Sequence, residues 1–297
     1  MSNKLRKMTL EKKHNLTGWA FLAPATFLIA VFSFWPMIKA LVLSFQTGKG
    51  RNMQMAGFTN YIRMFQDDVF IQSIKNTFFY FIIQVPIMLV VALVLACILN
   101  KKDLRFKGFF RTMIFVPCTT SLVAYSIIFR SLFANNGLVN YVLVNIGILD
   151  KPYNFLTQPF AAKMVILLGL LWRWTGYNMV FYLAGLQNIE YSVYEAAKID
   201  GANGWKTFWK ITVPLLKPTI IMTFIMSING TLQLFDESVN LTKGGPANST
   251  ITMSHYIYNT CFINVPNFGY AAAMSFIIFI MVAVLAFINL KVGDTRD

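Results

Sequence analysis

Six long apolar segments alternate with short polar ones along this chain of 297 residues. Each is about as long as the roughly 20 residues that a helix needs to cross the hydrocarbon core of a bilayer. In chain order the segments are 19–45, 78–99, 109–133, 161–186, 219–241 and 270–290. Backbone groups in that core must bond to one another, which restricts spanning segments to helices and closed barrels. The sequence therefore predicts an all-α, polytopic membrane protein with six transmembrane helices.

Charged residues are scarce and lie mostly at the ends of the apolar segments. They make up 13% of the chain, against 56% hydrophobic residues, whereas soluble domains carry roughly 25% charged residues. Much of the formal net charge of +14 comes from residues 4–13, 101–111 and 198–217, each next to an apolar segment. No basic stripe with interleaved aromatic residues lies elsewhere, so the charge indicates loops at a membrane surface and argues against a nucleic-acid partner.

The distribution of lysine and arginine favours one orientation in the membrane. With the N-terminus inside, the cytoplasmic segments carry about twice as many of these residues as the outer loops, as the positive-inside rule requires. We therefore expect both termini on the cytoplasmic side. This divides the chain into a cytoplasmic segment 1–16, a six-helix domain 17–291 and a tail 292–297, and it places the polar segment 187–217 in the cytoplasm.

Three outer segments carry weaker signals. Residues 60–76 place Tyr61, Phe65 and Val69 four apart, which predicts a short amphipathic helix on the outer face. Residues 135–160 and 242–268 are rich in Asn, Gly and Pro. We expect them to form outer loops that are too small to fold as independent domains.

Cysteine and histidine residues give no sign of a catalytic or metal site. Cys97, Cys118 and Cys261 are far apart in the chain, and so are His14 and His255. Their spacing fits neither a zinc site nor a disulfide framework. The sequence also lacks the phosphate-binding pattern G-x-x-x-x-G-K-[ST]. We therefore expect no catalytic residue, metal site or ATP site in this chain.

The segment 187–217 has the pattern of two short helices joined by a sharp turn. Residues 190–200 can form about three helical turns, and Gly201 stands where such a helix would end. A second helix would begin at Asn203 or Gly204 and stop before Pro214.

The two halves of this segment would present different side chains. On the second helix an aromatic face would meet the lipid headgroups while Lys206 and Lys210 share another face, which is an interfacial arrangement. The residues of that aromatic face, at helical spacing, are Trp205, Phe208, Trp209 and Thr212. In the first half, the small residues Ala197 and Gly201 lie beside the carboxylate of Glu195, a surface that suits a groove on another protein better than lipid.

The same segment resembles a known signature. Glu-Ala-Ala, then Gly, then Ile and Pro at fixed spacings are typical of a cytoplasmic loop in permease subunits of binding-protein-dependent ABC importers. The matching residues are Glu195, Ala196, Ala197, Gly201, Ile211 and Pro214. Two positions depart from the pattern: Val213 stands where the family has leucine, and Glu190 where it usually has proline.

The resemblance extends over nearly the whole chain. NYIRMFQDDVFIQSIKNT, WRWTGYNMVFYLAGLQNI and FDESVNLTKGGPANST are similar to the sugar-transporting branch of that family. The ending FINLKVGDTRD is similar to the first-encoded of two permease types, which usually pairs with a non-identical second permease. The resemblance thus implies a permease subunit of an ATP-driven importer for a sugar, oligosaccharide or polyol in a bacterial cytoplasmic membrane.

The resemblance also implies partners and a mechanism. Two separate ATPase subunits would bind ATP and Mg, this chain would hold no cofactor, and an extracytoplasmic binding protein would deliver the substrate. Residues 190–217 would insert into a groove of one ATPase, whose closure would tilt spans three to six. The coupling residues would be Glu195, Ala196, Ala197, Asp200, Gly201, Ile211 and Pro214. The alternative is an amphipathic connector that only tethers two spans.

Polar residues in the fourth and fifth spans are candidates for the substrate path, because ionisable groups inside spans mark functional sites. Arg173 and Asp236 lie at similar depths, where an ion pair would either serve the substrate or only hold helices together. Hydroxyl-rich ligands need planar polar groups and an aromatic face. The candidates are Arg173, Tyr177, Asn178, Ser227, Thr231, Gln233 and Asp236. By resemblance, Tyr177, Ser227 and Thr231 match, approximately, positions that line the sugar pocket of maltose-type permeases.

Three alternatives stay open from the sequence. A secondary transporter would show an inverted repeat and interrupted helices, and we find no convincing repeat. The branch that the chain resembles also includes importers of glycerol phosphates and acidic sugars, between which Arg173 does not discriminate. Finally, Thr119, Thr120 and Ser121 either line the path or bond carbonyl groups freed by Pro117.

Overall fold

Helices form nearly all of the regular structure in the computed structural model, which describes residues 10–49, 52–101 and 103–293. The α-helices are α1 Leu10–Ile29, α2 Trp35–Ser44, α3 Thr59–Met64, α4 Asp68–Leu99, α5 Lys107–Thr119, α6 Leu122–Leu132, α7 Leu138–Asn145, α8 Pro159–Gln187, α9 Tyr191–Ile199, α10 Gly204–Thr207, α11 Val213–Leu215, α12 Lys217–Leu232, α13 Met253–Tyr258 and α14 Phe268–Gly293. Four π-helical segments are Ala30–Phe34, Phe208–Thr212, Ser238–Thr242 and Asn259–Ile263. The all-α prediction missed one short antiparallel hairpin, β1 Gln46–Lys49 with β2 Asn52–Met55.

In the described part of the chain, four helices are long and apolar enough to cross a bilayer, and two further candidates are bent. The continuous ones are His14–Ser44, Asp68–Leu99, Pro159–Gln187 and Phe268–Lys291. The bent pairs are α5 with α6, at 99°, and Gly204–Leu215 with α12, at 69°. The predicted span over 109–133 is therefore bent between α5 and α6. The predicted span 219–241 is also interrupted, since α12 ends at Leu232.

The centre of the bundle is the pair α4 and α8, which pack along each other. Small residues allow this approach: Ala92 and Ala96 on α4 are fully buried. On the other side of α8, a Cβ at Gly176 would clash with the backbone carbonyl of Ile114. Only glycine therefore lets α5 lie so close to α8.

The predicted amphipathic helix over 60–76 is wrong, because the chain breaks within it. Asp67 caps α4: its Oδ1 accepts the backbone N–H groups of Val69 and Phe70. Its Oδ2 accepts hydroxyl hydrogen bonds from Tyr256 at 2.6 Å and Tyr270 at 2.7 Å. Burial acts to raise the pKa of Asp67, but these four hydrogen bonds outweigh it and the pKa lies below its ordinary value. One carboxylate thus ties α4 to α13 and α14.

The two segments expected to be outer loops contain short helices. Residues 135–160 include α7, where the side-chain amide of Asn140 donates to the carbonyls of Ala134 and Tyr153. Residues 242–268 include α13, where His255 is buried against Ser238. Because the Ser238 hydroxyl donates to the carbonyl of Thr250, it accepts from Nδ1–H of His255. Both loops are therefore ordered by buried polar side chains.

Candidate substrate cavity and coupling loop

A cavity of about 360 Å³ lies where α4, α8 and α12 meet the chain that follows α12. After Leu232 the residues 233–235 are not helical, and helical structure resumes at 236. Because of this interruption, all five residues 233–237 line the cavity. A continuous helix would turn only about one residue in three or four toward it. The lining residues are Gln84, Met88, Leu122, Leu170, Trp174, Tyr177, Asn178, Met226, Ser227, Asn229, Gly230, Thr231, Gln233, Leu234, Phe235, Asp236 and Glu237.

The structure brings six of the seven predicted substrate residues to this one cavity. They are Tyr177, Asn178, Ser227, Thr231, Gln233 and Asp236. Ser227 and Thr231 are four apart on α12 and so share a face. The ring of Tyr177 lies edge-on to that of Trp174, with 5.7 Å between centroids. The wall thus combines an aromatic pair with amide, hydroxyl and carboxylate groups.

Arg173, the seventh predicted residue, does not line the cavity. It is 7% exposed and donates from Nη1 to the carbonyl of Thr120 at 2.8 Å and from Nη2 to that of Cys118 at 3.4 Å. Its guanidinium also lies over the ring of Tyr125, 5.6 Å from the centroid. Among the described residues it forms no ion pair with Asp236. The ion-pair prediction is therefore wrong, and Arg173 instead satisfies the carbonyl end of α5, where the chain bends.

The hydroxyl groups near Pro117 also bond to the end of α5. Thr119 donates to the carbonyl of Val116 and Thr120 to that of Pro117, at 2.8 and 2.7 Å. A proline in a helix frees the carbonyl of the residue four positions before it. The two acceptors here are instead carbonyls in the last turn of α5. The hydroxyls therefore do bond carbonyl groups, though other ones than the sequence suggested.

Sequence reasoning missed several lining residues, of which Gln84 is the most informative. Gln84 is buried on α4 and its Oε1 accepts a hydrogen bond from the Thr231 hydroxyl at 3.0 Å. A glutamine inside the apolar segment 78–99 was a visible signal. Trp174 and Asn229 gave no such signal, because their orientation depends on helix packing.

The turn in the segment 187–217 forms as predicted, but the second helix is longer. Gly201 has φ of 74°, the left-handed conformation that ends a helix cheaply only at glycine. Asn203 caps α10, its Oδ1 accepting the backbone N–H of Lys206 at 2.9 Å. The helix does not stop before Pro214, since α10, the π-helical segment 208–212 and α11 follow one another to Leu215. Proline is tolerated there because it occupies the start of α11.

The predicted coupling residues differ in exposure. Glu195, Ala196, Asp200, Gly201 and Pro214 are exposed, and Ile211 is half-buried. Ala197, at 5% exposure, faces the protein, so the prediction that it forms an outer small-residue patch is wrong. The aromatic face is likewise divided: Trp205 and Trp209 are exposed, while Phe208 and Thr212 pack inward.

A bundle of apolar spanning helices around a polar interior cavity, with an exposed helical loop at one end, defines a membrane permease. Comparison with known proteins gives the family. Residues 69–293 match the family of binding-protein-dependent transport system inner membrane components. The chain belongs to this family, as the resemblance predicted, and is a transport subunit and not an enzyme.

Relatives in this family resemble the chain over nearly its full length. The lactose transport system permease protein LacF of Rhizobium radiobacter is 52% identical over 292 residues, covering 98% of each chain. The arabinooligosaccharides transport system permease protein AraP of Bacillus subtilis (strain 168) is 33% identical, covering 93% of this chain and 88% of that protein. Both relatives are permeases of sugar transport systems.

A solved structure shares the fold. A bacterial ABC transporter involved in the import of the acidic polysaccharide alginate contains a chain that matches with a TM-score of 0.84. The two chains are 23% identical, and the match covers 96% of this chain and 98% of the other. At that identity the likeness concerns the fold and not the ligand.

Proposed function

We propose that this chain forms half of the translocation path of an ATP-driven importer for a sugar, oligosaccharide or polyol. The observation that carries the proposal is the cavity between α4, α8 and α12, with Trp174 and Tyr177 beside amide, hydroxyl and carboxylate groups. Saccharides present apolar ring faces edged by hydroxyl groups. Aromatic rings and planar polar side chains in one wall therefore suit them.

A disaccharide is the ligand class that we favour first. A relative with 52% identity is a lactose permease, and a cavity of about 360 Å³ is in the range of small-ligand sites. Lactose is therefore the first probe for the substrate.

Family membership favours an importer over a self-contained secondary transporter, which was the alternative from another class. Interrupted helices, a feature of secondary transporters, do occur at 120–121 and 233–235. They therefore do not separate the two classes. The family description, which names a binding protein as part of the transport system, supports the importer.

The exposed loop supports a proposal for energy coupling. α9 carries Glu195 and Ala196 on an exposed surface, and Asp200 and Gly201 follow at the turn. A carboxylate beside small residues suits a groove on a partner better than lipid, because a charge costs too much in hydrocarbon. We assign the loop 187–217 to a groove on one ATPase subunit, where ATP and Mg are bound. Ala197 and Ile211 then stabilise the loop from its inner side.

The assembly follows from this assignment. The six spans predicted from the sequence, of which those over 109–133 and 219–241 are interrupted, have both termini in the cytoplasm of a bacterial cell. A second, non-identical permease completes the path, two ATPase subunits bind below it, and an extracytoplasmic binding protein delivers the sugar. The family description, which names an inner membrane component of a binding-protein-dependent transport system, supports this arrangement.

Charge reversal in the loop tests the coupling. In cells that express the whole transporter, Glu195→Arg should abolish uptake of labelled lactose and weaken copurification of the ATPase, because a cation replaces the carboxylate that faces the groove. Asp103→Arg, an exposed charge reversal between α4 and α5, is the matched control. It should leave uptake within about twofold, as surface substitutions usually do.

The two variants separate coupling from folding. Both should insert in the membrane at normal levels, as judged by immunoblot of the membrane fraction. Normal lactose uptake by Glu195→Arg at normal membrane levels would contradict the assignment of the loop.

A further inference from the structure

Several hydrogen-bond donors of the cavity wall are engaged inside the protein. Five lining side chains already donate an N–H or O–H group to another atom of this chain: Gln84, Asn178, Ser227, Thr231 and Gln233. The Ser227 hydroxyl, for example, donates to the carbonyl of Thr223 at 2.7 Å. The donors that remain on this wall belong to Trp174, Tyr177 and Asn229 and to the second hydrogens of the amide groups.

The two charged groups on the wall are both hydrogen-bond acceptors. Asp236 and Glu237 follow the interruption after α12 and both line the cavity. Glu237 is only 3% exposed. In the described part of the chain neither carboxylate accepts a hydrogen bond from another residue or pairs with a cation. The two carboxylates therefore offer acceptor oxygens to a ligand that donates hydrogen bonds.

No positive side chain belongs to the described wall of the cavity. The lining residues in the described chain include no lysine, arginine or histidine. Arg173 lies behind the wall, where its Nη atoms are engaged by the carbonyls of Thr120 and Cys118. An anionic ligand would therefore meet two carboxylates and no cation.

We propose that this cavity selects neutral or cationic hydroxyl-rich saccharides and rejects anionic ones, with Asp236 and Glu237 as the specificity-determining residues. The inference rests on the proposed function, because it takes the cavity as the substrate site. Sugar hydroxyl groups donate to the free carboxylate oxygens in charge-assisted hydrogen bonds. A uronate or a phosphate ester instead places a second anion beside them, and like charges that face each other suppress binding.

This selectivity separates the chain from the importer whose fold it shares. That importer handles an acidic polysaccharide, whereas the cavity of this chain favours ligands without negative charge. Acidic sugars and glycerol phosphates, which the family resemblance left open, are excluded by the charges on the wall.

A set of three ligands of equal shape tests the selectivity. The assembled transporter, purified with its partner subunits and held in nanodiscs without a binding protein, is titrated calorimetrically at pH 7.5. The ligands are lactose, lactose whose galactose C6 is oxidised to a carboxylate, and lactose whose galactose C6 carries an amine. We expect the carboxylate analogue to bind at least tenfold more weakly than lactose, and the amine analogue to bind as well as lactose or better.

Variants of the wall attribute that preference to its carboxylates. In the double variant Asp236→Asn, Glu237→Gln the ratio of lactose to carboxylate affinity should fall to within about threefold, since the repulsion is removed. Asp150→Asn, an exposed carboxylate in the loop between α7 and α8, is the matched control and should keep the ratio unchanged. Equal binding of lactose and its carboxylate analogue by the unaltered protein, or an unchanged ratio in the double variant, would overturn the proposal.

A further variant distinguishes failure of the selectivity from failure of the site. Tyr177→Ala removes an aromatic face of the cavity and should weaken lactose binding at least tenfold. If lactose still binds normally, the cavity is not the substrate site and the proposed function fails with the inference. If Tyr177→Ala weakens binding but the double variant keeps the charge preference, only the inference fails.

Discussion

Arg173 illustrates how a charged residue inside a span is satisfied without a counter-ion. Its two carbonyl partners lie 53 and 55 residues away in sequence, at the end of α5. A cation at a helix C-terminus is also favoured by the helix dipole. The sequence marked Arg173 as important because of its charge. It did not show the partner, since the exposed carbonyls exist only once the chain bends between α5 and α6.

Loss of this arginine should destabilise the bend. In Arg173→Met the half-buried carbonyls of Thr120 and Cys118 lose their donors, which costs about 1–3 kcal/mol. The midpoint of thermal unfolding in detergent should therefore fall by several degrees. Arg130→Met, at an exposed position in the last turn of α6, is the control. If both variants unfold at the same temperature, Arg173 does not hold the bend.

His255 should make stability depend on pH. Burial lowers the pKa of His255 to about 4 from the ordinary 6.5. Between these values the unfolded chain binds a proton that the folded chain does not, so stability falls as the pH decreases from 6.5 to 4. Thermal unfolding across this range should show the decline, and His255→Gln should reduce it. His14→Gln, at an exposed position, should leave the decline intact; equal slopes in both variants would contradict the assignment.

At the scale of elements, the sequence predicted which segments are apolar but not where they bend. Hydropathy over 109–133 is continuous, yet α5 and α6 meet at 99°. Pro117 indicated a weak point, but the turn occurs at 120–121, where Arg173 supplies donors. The interruption at 233–235 had only the polar Gln233 as a signal. Such bends are fixed by contacts with other helices, which a pattern in one segment does not contain.

The coupling loop was better predicted because its turn depends on local conformation. Gly201 ends the first helix with positive φ, and the side chain of Asn203 caps the next. Both features are encoded within a few residues. The burial of Ala197 was missed, since it depends on the neighbouring helices.

Two glycines in this turn provide a matched test. A Cβ at Gly201 or at Gly204 would meet no other atom within 4 Å, but only Gly201 has positive φ. Gly201→Ala should therefore strain the turn by roughly 1–2 kcal/mol and lower lactose uptake, while Gly204→Ala should be nearly neutral. The measurement is the initial rate of uptake at equal membrane levels. A reduced rate in Gly204→Ala alone would refute the role of the turn.

At the scale of the whole molecule, the interrupted helices place a polar cavity inside an apolar bundle. Ser227, Thr231, Gln233 and Asp236 reach it because side chains four apart on α12 share a face and residues 233–237 follow directly. Tyr177 and Asn178 reach it from α8. The cavity itself was not predictable from sequence. It depends on how α4, which supplies Gln84, packs against α8 and α12.

Protection of one cavity position by the substrate tests the central claim most directly. In the assembled transporter, with Cys97, Cys118 and Cys261 replaced by alanine, a cysteine is introduced in Ser227→Cys or, as a control outside the cavity, in Ser254→Cys. The rate of alkylation by a small maleimide is then measured with and without lactose. We predict that saturating lactose slows alkylation at position 227 at least fivefold and leaves position 254 unaffected. Equal rates at position 227 with and without lactose would contradict the claim that the sugar occupies this cavity.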